Sequence, residues 1–531
     1  MKYVLAYDIG TTGVKTCIIK VDRTMSLVAG ESQSYPLYIM PDGGAEQDAD
    51  DWWNAMCATT HRVIDESGVK ACDISGISFC SQAQGLVLVD KSGIPVRRPM
   101  SYMDQRAKKQ LEKGISHGIK VADANIRKLL VSLAITGAVA GSVKDPVWKY
   151  KWVEENEPDN FRRVYKWLDV KDYLICRCTG NFTMTEDSAY GTLLYDTRRR
   201  KKRMSEKMCR MFKVNINHFP KIIKSTDIAG FLKADSAKEL GLQDGTPVFG
   251  GGMDASLIGV GAGCVSTGDT HIYSGTSGWV ITVTDRQVVD ASAMIAAIVG
   301  AQKDRFNYFA EMETAGKCFE WVKDHLAKDE IGMYVKKEHI AESFESKYTS
   351  LFDFMTDTIK DVPPGSGGVI FTPWMHGNRC PFEDPLATSM FFGIKLETGK
   401  TQLIRAVLEG IFYHLRWMLE CQDNKVQTSN PITFAGGGAL SDISCQMLSD
   451  ITGRKIQTVA SPQNVGAMGA AAVTAVGLGL IDSIDDVKNY IKPVKTYLPD
   501  MENNRKYQKY YQVFKMLYST NRKIYSMLKE E

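Results

Sequence analysis

Residues 1–22 read MKYVLAYDIGTTGVKTCIIKVD, and the run Asp8-Ile9-Gly10-Thr11-Thr12-Gly13 within them decides the fold. The flanks, Tyr3 to Tyr7 and Lys15 to Val21, are β-branched and aromatic, while Gly10 to Gly13 are turn formers, so the stretch predicts a β-hairpin. Asp8 ends the first strand, facing the turn. A Gly-Thr-Thr-Gly turn points several backbone N–H groups and two hydroxyls at one place, which is how proteins hold phosphate. A single copy of so short a motif is more often a plain hairpin.

A second copy changes that balance. Residues 270–285, THIYSGTSGWVITVTD, repeat Gly-Thr-(Thr/Ser)-Gly at Gly275, Thr276, Ser277 and Gly278, again between strands rich in Ile, Val, Tyr and Thr. The repeat lies about half a chain further on, as expected of two related halves. Two such hairpins facing each other across a cleft would grip a nucleotide from both sides.

The 531 residues exceed what one core supports, and two domains of about 250 residues are expected. The division falls in 241–263, GLQDGTPVFGGGMDASLIGVGAG, giving domains 1–250 and 251–531. With 65 basic against 62 acidic residues the net charge is only +3, which argues against general affinity for nucleic acid or anionic membrane. The twelve cysteines stand singly, without a Cys-x-x-Cys pair, and Cys176-Arg177-Cys178 is too tight for a zinc knuckle. They read as reduced thiols of a cytoplasmic protein. The N-terminus lacks the pattern of a signal peptide, and no stretch reaches the ~18 apolar residues of a membrane span.

Strand-like and helix-like segments alternate, the mark of an α/β protein. Residues 43–56, GGAEQDADDWWNAM, lead into a helix with Asp48 or Asp50 as N-cap. Residues 73–96, DISGISFCSQAQGLVLVDKSGIPV, place Gln82 and Gln84 just past a strand, where α/β folds present groups to ligands. Residues 431–453, PITFAGGGALSDISCQMLSDITG, give strand, three glycines and helix. Glycine there lets the backbone approach a flat ligand, although the register is not that of Gly-x-Gly-x-x-Gly. The basic run Arg198 to Arg203 reads as a solvated loop. In the tail, Val513, Leu517, Ile524 and Leu528 recur at roughly helical intervals, which predicts a packing helix; a partner interface is the alternative.

Asp254 stands between a strand end and a helix start among glycines and apolar residues. Phosphoryl transfer asks a protein for positioning, charge neutralisation and a group that accepts the proton of the attacking hydroxyl. Asp254 fits the last role.

DIGTTGVK (8–15), EQDADDWW (46–53), GGGMDASLIGVGAG (250–263), GTSG (275–278) and FAGGGALSDISCQMLSDITG (434–453) together resemble the FGGY carbohydrate kinases, over nearly the whole chain. The resemblance implies the actin-like ATPase fold, an α/β architecture of two duplicated ribonuclease H-like domains closing an interdomain cleft on Mg-ATP and a sugar. It assigns Asp8 to water-mediated Mg²⁺ contact, and Thr11, Thr12, Lys15, Gly275 and Thr276 to the phosphates. Gly437, Gly438 and Ala439 fall to adenosine and Asp254 to the general base. The sugar is expected near Gln82, Gln84, Asp104, Arg106 and Asp254, with a structural ion pair as the alternative role for Asp104 and Arg106. Residues 81–90 look most like the xylulokinase version, yet Ala83 and Gln84 stand where that version has Met and His, and Ala255 where it commonly has Asn. The expected reaction is γ-phosphate transfer from ATP to a ketopentose such as xylulose. Another ketose, a sugar acid or a polyol is the alternative, as are an actin-like ATPase without a sugar and a non-catalytic sugar sensor. The expected partners are ATP and a small sugar, with a homodimer left open.

Overall fold

The computed structural model describes residues 2–115, 119–121, 124–326 and 351–528. Its first sheet is built from β1 (Lys2–Ile9), β2 (Gly13–Val21), β3 (Met25–Ser34), β4 (Ile74–Ser81), β5 (Ile228–Phe231) and β6 (Pro247–Phe249), in the order β3-β2-β1-β4-β6-β5. Gly252–Met253 adds a short strand beside the end of β4. β1, β2 and β3 are antiparallel; β1, β4 and β6 are parallel. Helix α1 (Ala49–Ser67) connects β3 to β4, and α2 (Val170–Thr179) lies between β4 and β6. The N-cap of α1 is Asp48, whose side chain accepts the Asp50 N–H.

The second half repeats this plan. β7 (Thr270–Ser274), β8 (Gly278–Thr284), β9 (Val289–Asp290), β10 (Ile295–Val299), β11 (Phe306–Met312), β12 (Ile432–Ala435), β13 (Ile456–Val459) and β14 (Pro493–Tyr497) form a sheet ordered β9-β10-β11-β8-β7-β12-β13-β14. Its core, β11-β8-β7-β12-β13, carries the same pattern of antiparallel and parallel neighbours as β3-β2-β1-β4-β6. α4 (Lys400–Asp423) precedes β12 as α1 precedes β4, and α5 (Asp442–Thr452) joins β12 to β13. The chain therefore folds as two duplicated ribonuclease H-like units, as the paired hairpins predict.

Burial follows from the layers. β1 is buried along most of its length because helices cover both faces, whereas the edge strand β3 exposes alternate residues. Trp52 and Trp53 of α1 seal one face of the first sheet. The inner faces of both sheets share a core: Val4 and Ile19 from the first and Ile281 from the second meet Leu257 and Val260 of α3 (Asp254–Gly261) and Ala470 and Val473 of α6 (Val465–Gly477). Each of these helices follows its own half's last parallel strand, so the repeat brings them together.

They touch through glycine. A Cβ on Gly261 would lie 1.9 Å from the Val465 carbonyl oxygen, and one on Gly469 would lie 2.1 Å from that of Leu257. Both neighbours are backbone and cannot swing aside. Gly469→Val is expected to destabilise the protein by about 3 kcal/mol, the upper range for overpacking, read as a lowered denaturation midpoint; a loss under about 1 kcal/mol would mean that the helices separate freely.

Residues between β4 and β5 add a subdomain with its own core, around Trp148, Tyr150, Trp167 and Phe212. The basic run lies in the turn joining Tyr195–Asp196 to Arg203–Met204, with Arg198 paired to Asp196 and Lys202 to Asp304. The tail forms α7 (Met501–Met527), but its buried stripe differs from the expected one. Tyr507, Tyr511, Phe514, Leu517 and Tyr525 face inward, while Ile524 and Leu528 are exposed. Tyr507 and Tyr511 bury larger rings and keep hydroxyl partners, Glu409 at 3.1 Å and Glu420 at 2.6 Å respectively, so they outcompete the aliphatics. Among the described residues no helix is long and apolar enough to cross a membrane, and all twelve cysteines are free, most of them buried.

Candidate functional site

The first hairpin closes as Gly10 N–H donates to the Gly13 carbonyl at 2.9 Å, with Asp8 paired across the strands to Lys15. Three side chains brace the turn. The Tyr35 hydroxyl donates to the Gly10 and Gly13 carbonyls, at 2.5 and 3.0 Å. Gln47 Nε2 donates to the Thr11 carbonyl at 2.7 Å, and Gln82 Nε2 donates to the Gly10 carbonyl at 3.2 Å and to Gln47 Oε1 at 2.8 Å. With its carbonyls thus engaged and Gly10 N–H closing the turn, the hairpin leaves the Thr11 and Thr12 N–H groups and the Thr12 hydroxyl to the cleft. The second hairpin closes in parallel fashion, Gly275 N–H donating to the Ser277 carbonyl at 3.0 Å.

Both hairpins line one cleft. A channel of about 310 Å³ is walled on one side by Asp8 and Gly10 to Lys15 and on the other by Thr276, Ser277 and Trp279. A smaller cavity of about 160 Å³ adjoins it, lined by Gln82, Ala83 and Gln84, by Tyr102 and Tyr190, and from the second half by Glu311 and Arg379. Thr11, Gln82, Asp254, Thr276, Ser277 and Trp279 line both spaces, so Asp254 stands where they join.

The glycines before Asp254 explain how it gets there. Gly251 has φ 63°, and a Cβ on it would fall 2.1 Å from the Phe79 carbonyl oxygen, so the chain turns sharply against β4 where a side chain would not fit. Met253 N–H is held by Asp187 Oδ2 at 2.7 Å, and α3 begins at Asp254, whose Oδ1 accepts the Ala255 N–H at 2.7 Å. Burial pushes the Asp254 pKa up to about 8, opposed by that hydrogen bond and assisted by the negative charges of Asp8, Glu311 and Asp169. Burial likewise raises Asp8, against the lowering effects of Lys15 and a hydrogen bond from Cys80. A Cβ on Gly466 would lie 2.6 Å from Asp8 Oδ2, so the start of α6 comes against this carboxylate.

The remaining expected residues divide. Lys15 lines the channel, and its Nζ donates to the Gln463 carbonyl in the other half at 2.8 Å. Gln84 adopts φ 59°, its N–H held by Asp169 Oδ2 at 3.1 Å and its carbonyl by Lys149 Nζ at 2.7 Å. Gln82 is 4% exposed and its Oε1 is unpartnered. Gly437, Gly438 and Ala439 form a short turn after β12, beside the second hairpin rather than in the two spaces above. A Cβ on Gly436 would meet the Ser274 carbonyl oxygen at 2.4 Å, whereas one on Gly437 would meet nothing within 4 Å, which leaves an open face for a planar group.

Asp104 and Arg106 take the ion-pair alternative in the structure. Asp104 is fully buried, accepts the Ala45 N–H at 2.9 Å and pairs with Arg106 at 2.6 Å; Arg106 also pairs with Glu46 at 2.5 Å and covers the Trp152 ring at 4.5 Å. Neither lines the smaller cavity. From the same segment, Tyr102 to Arg106, it is Tyr102 that reaches the cavity, bonded to the Thr11 side chain. Sequence reasoning also missed Gln47, Trp279, Glu311 and Arg379. Trp279 directly follows the second hairpin, the one signal that points to it.

Both halves of the chain match known proteins. Residues 3–261 match the N-terminal domain, and residues 271–478 the C-terminal domain, of the FGGY family of carbohydrate kinases. A xylulose kinase of Bacillus subtilis is 28% identical over 100% of this chain and 99% of its own. A gluconokinase of the same organism is 25% identical, covering 96% and 94%. Among solved structures, a ligand-bound xylulose kinase from Lactobacillus acidophilus superposes with a TM-score of 0.82 at 23% identity, with both chains covered completely.

Proposed function

Because this chain belongs to the FGGY family of carbohydrate kinases and is an ATP-dependent sugar kinase, we propose that its acceptor is a ketopentose such as xylulose and that Asp254 is the general base. The observation that carries this reading is the position of Asp254 at the junction of the two spaces. The division at about residue 250 then separates a sugar-holding half from a nucleotide-holding half.

ATP lies with its phosphates in the channel, held by the N–H groups and hydroxyls of Thr11, Thr12 and Thr276 and passing against the backbone of Gly275, and with its base over Gly437, Gly438 and Ala439. The sugar occupies the smaller cavity, where Gln82 Oε1 and Gln84 take its hydroxyls. Asp254 receives the proton of the primary hydroxyl as that oxygen attacks the γ-phosphorus, and the β,γ-bridging oxygen leaves with ADP. Lys15, anchored to the Gln463 carbonyl, ties the halves together beside the phosphates. Asp8 fits an ion held through water: it lines the channel among the phosphate-facing groups, and no cluster of three or more ligating side chains occurs among the described residues, as suits Mg²⁺, which keeps waters and phosphate oxygens as ligands. When bound there, Mg²⁺ neutralises phosphate charge.

Charge favours a neutral acceptor over a sugar acid. The cavity's only cation among the described lining residues, Arg379, is already paired with Glu311 at 3.5 Å. A substrate carboxylate would have to displace that pairing. An ADP-release screen over pentuloses, hexuloses, aldonates and polyols tests the reading. A ketopentose should lead in kcat/KM by about 100-fold, the scale set by a polar site that fits one substrate's hydroxyls. A comparable lead for gluconate or glycerol would overturn the acceptor, and equal ADP release without sugar would favour the plain ATPase.

A further inference from the structure

Resting on the reading above, we propose that Trp279 is the residue that keeps water from the γ-phosphorus, so that the phosphoryl group passes to the sugar and not to solvent. Of the six residues common to channel and cavity, Thr11, Gln82, Asp254, Thr276 and Ser277 are polar, and Trp279 alone is apolar. It is 5% exposed.

The ring is fixed from several directions. Trp279 pairs across the sheet with Tyr273 on β7 and with Glu311 on β11. It stacks on Tyr273 with centroids 4.2 Å apart at 20°, and meets Phe309 at 6.0 Å and 61°. Its indole N–H donates to His271 Nε2 at 3.4 Å. His271 is itself buried, and burial lowers its pKa to about 3, so it remains a neutral acceptor at working pH. A Cβ on Gly259 would touch the same imidazole at 2.9 Å, so His271 lies between the indole and the helix that begins at Asp254. The sheet thus holds a large apolar plate at the place where the sugar hydroxyl and the γ-phosphorus meet.

A water at that junction would compete with the sugar. Its oxygen would bond to the γ-phosphorus, the same bond to the β,γ-bridging oxygen would break, and its proton would go to Asp254, giving ADP and inorganic phosphate. An ordered water needs two or more polar partners, and the indole face removes one side of that cage. The neighbouring polar groups are those that the phosphates and the sugar themselves engage.

The test measures ADP release without sugar and the ratio of ADP released to sugar phosphate formed at saturating sugar, for the parent, Trp279→Phe and Trp279→Val. Trp279→Val should raise the ratio of hydrolysis to transfer about tenfold, while Trp279→Phe, which keeps an apolar ring, should stay near the parent. An unchanged ratio in the valine variant, even with both rates reduced, would overturn the proposal and leave Trp279 a packing residue. Should valine prevent folding, judged by circular dichroism, Trp279→Leu gives the same reading. Asp254→Asn in the same assay separates the two ideas: full transfer in that variant would refute the base assignment, whereas the Trp279 ratio is read independently of it.

Discussion

Asp254→Asn should lower sugar phosphorylation by about 10²–10⁴-fold, the range ascribed to a positioned general base, with ATP binding largely kept. Asparagine preserves the shape and the acceptor for the Ala255 N–H, so the loss would report proton transfer rather than a broken helix start. The same variant should be more stable than the parent. The pKa of Asp254 is raised from 3.8 to about 8, so the folded state binds its proton more tightly than the unfolded chain. That difference makes stability fall as pH rises between these two values. Removing the carboxyl should therefore raise the melting temperature, and by more at pH 8 than at pH 5. Near-normal turnover in Asp254→Asn would remove the residue from the chemistry, and an unchanged melting temperature at pH 8 would remove the electrostatic strain.

The second large effect is in pH dependence. A base whose pKa is about 8 in the free enzyme is ionised only to about 1% at pH 6, so kcat/KM should climb roughly tenfold per pH unit up to about pH 8 and then level. Three carboxylates contribute to the shift, Asp8, Glu311 and Asp169. Glu311→Gln removes one of these charges from the cavity wall and should move the midpoint down. A flat profile between pH 6 and 9 would show that no group of raised pKa governs the reaction.

Much of this site was legible from local chemistry. The two hairpins announce themselves because a tight turn restricts which residues fit, and Asp254 is marked by the glycines that let the chain pass Phe79. The duplication follows from the repeated turn alone. What escaped the sequence depends on partners far along the chain. For Asp104 and Arg106 the sequence left a sugar contact and a structural ion pair both open, and only the folded chain adds Glu46 and the Ala45 N–H to the pair. Glu311 and Arg379 join the cavity from separate elements with no motif between them. The tail packs as a helix with Leu517 inside as expected, but Ile524 and Leu528 stay exposed, and only the positions of Glu409 and Glu420 decide that the Tyr507 and Tyr511 rings go inside. Lys15 shows the same limit: the family resemblance assigns it to the phosphates, and its tie to Gln463 across the cleft appears only when both halves are folded.

A crystal structure of the protein with a non-hydrolysable ATP analogue and xylulose tests the central claim most directly. The account predicts phosphates touching Thr11 or Thr12 from one hairpin and Thr276 from the other, with the sugar's primary hydroxyl hydrogen-bonded to Asp254. Phosphates held by one hairpin only, or a sugar bound out of reach of Asp254, would contradict it.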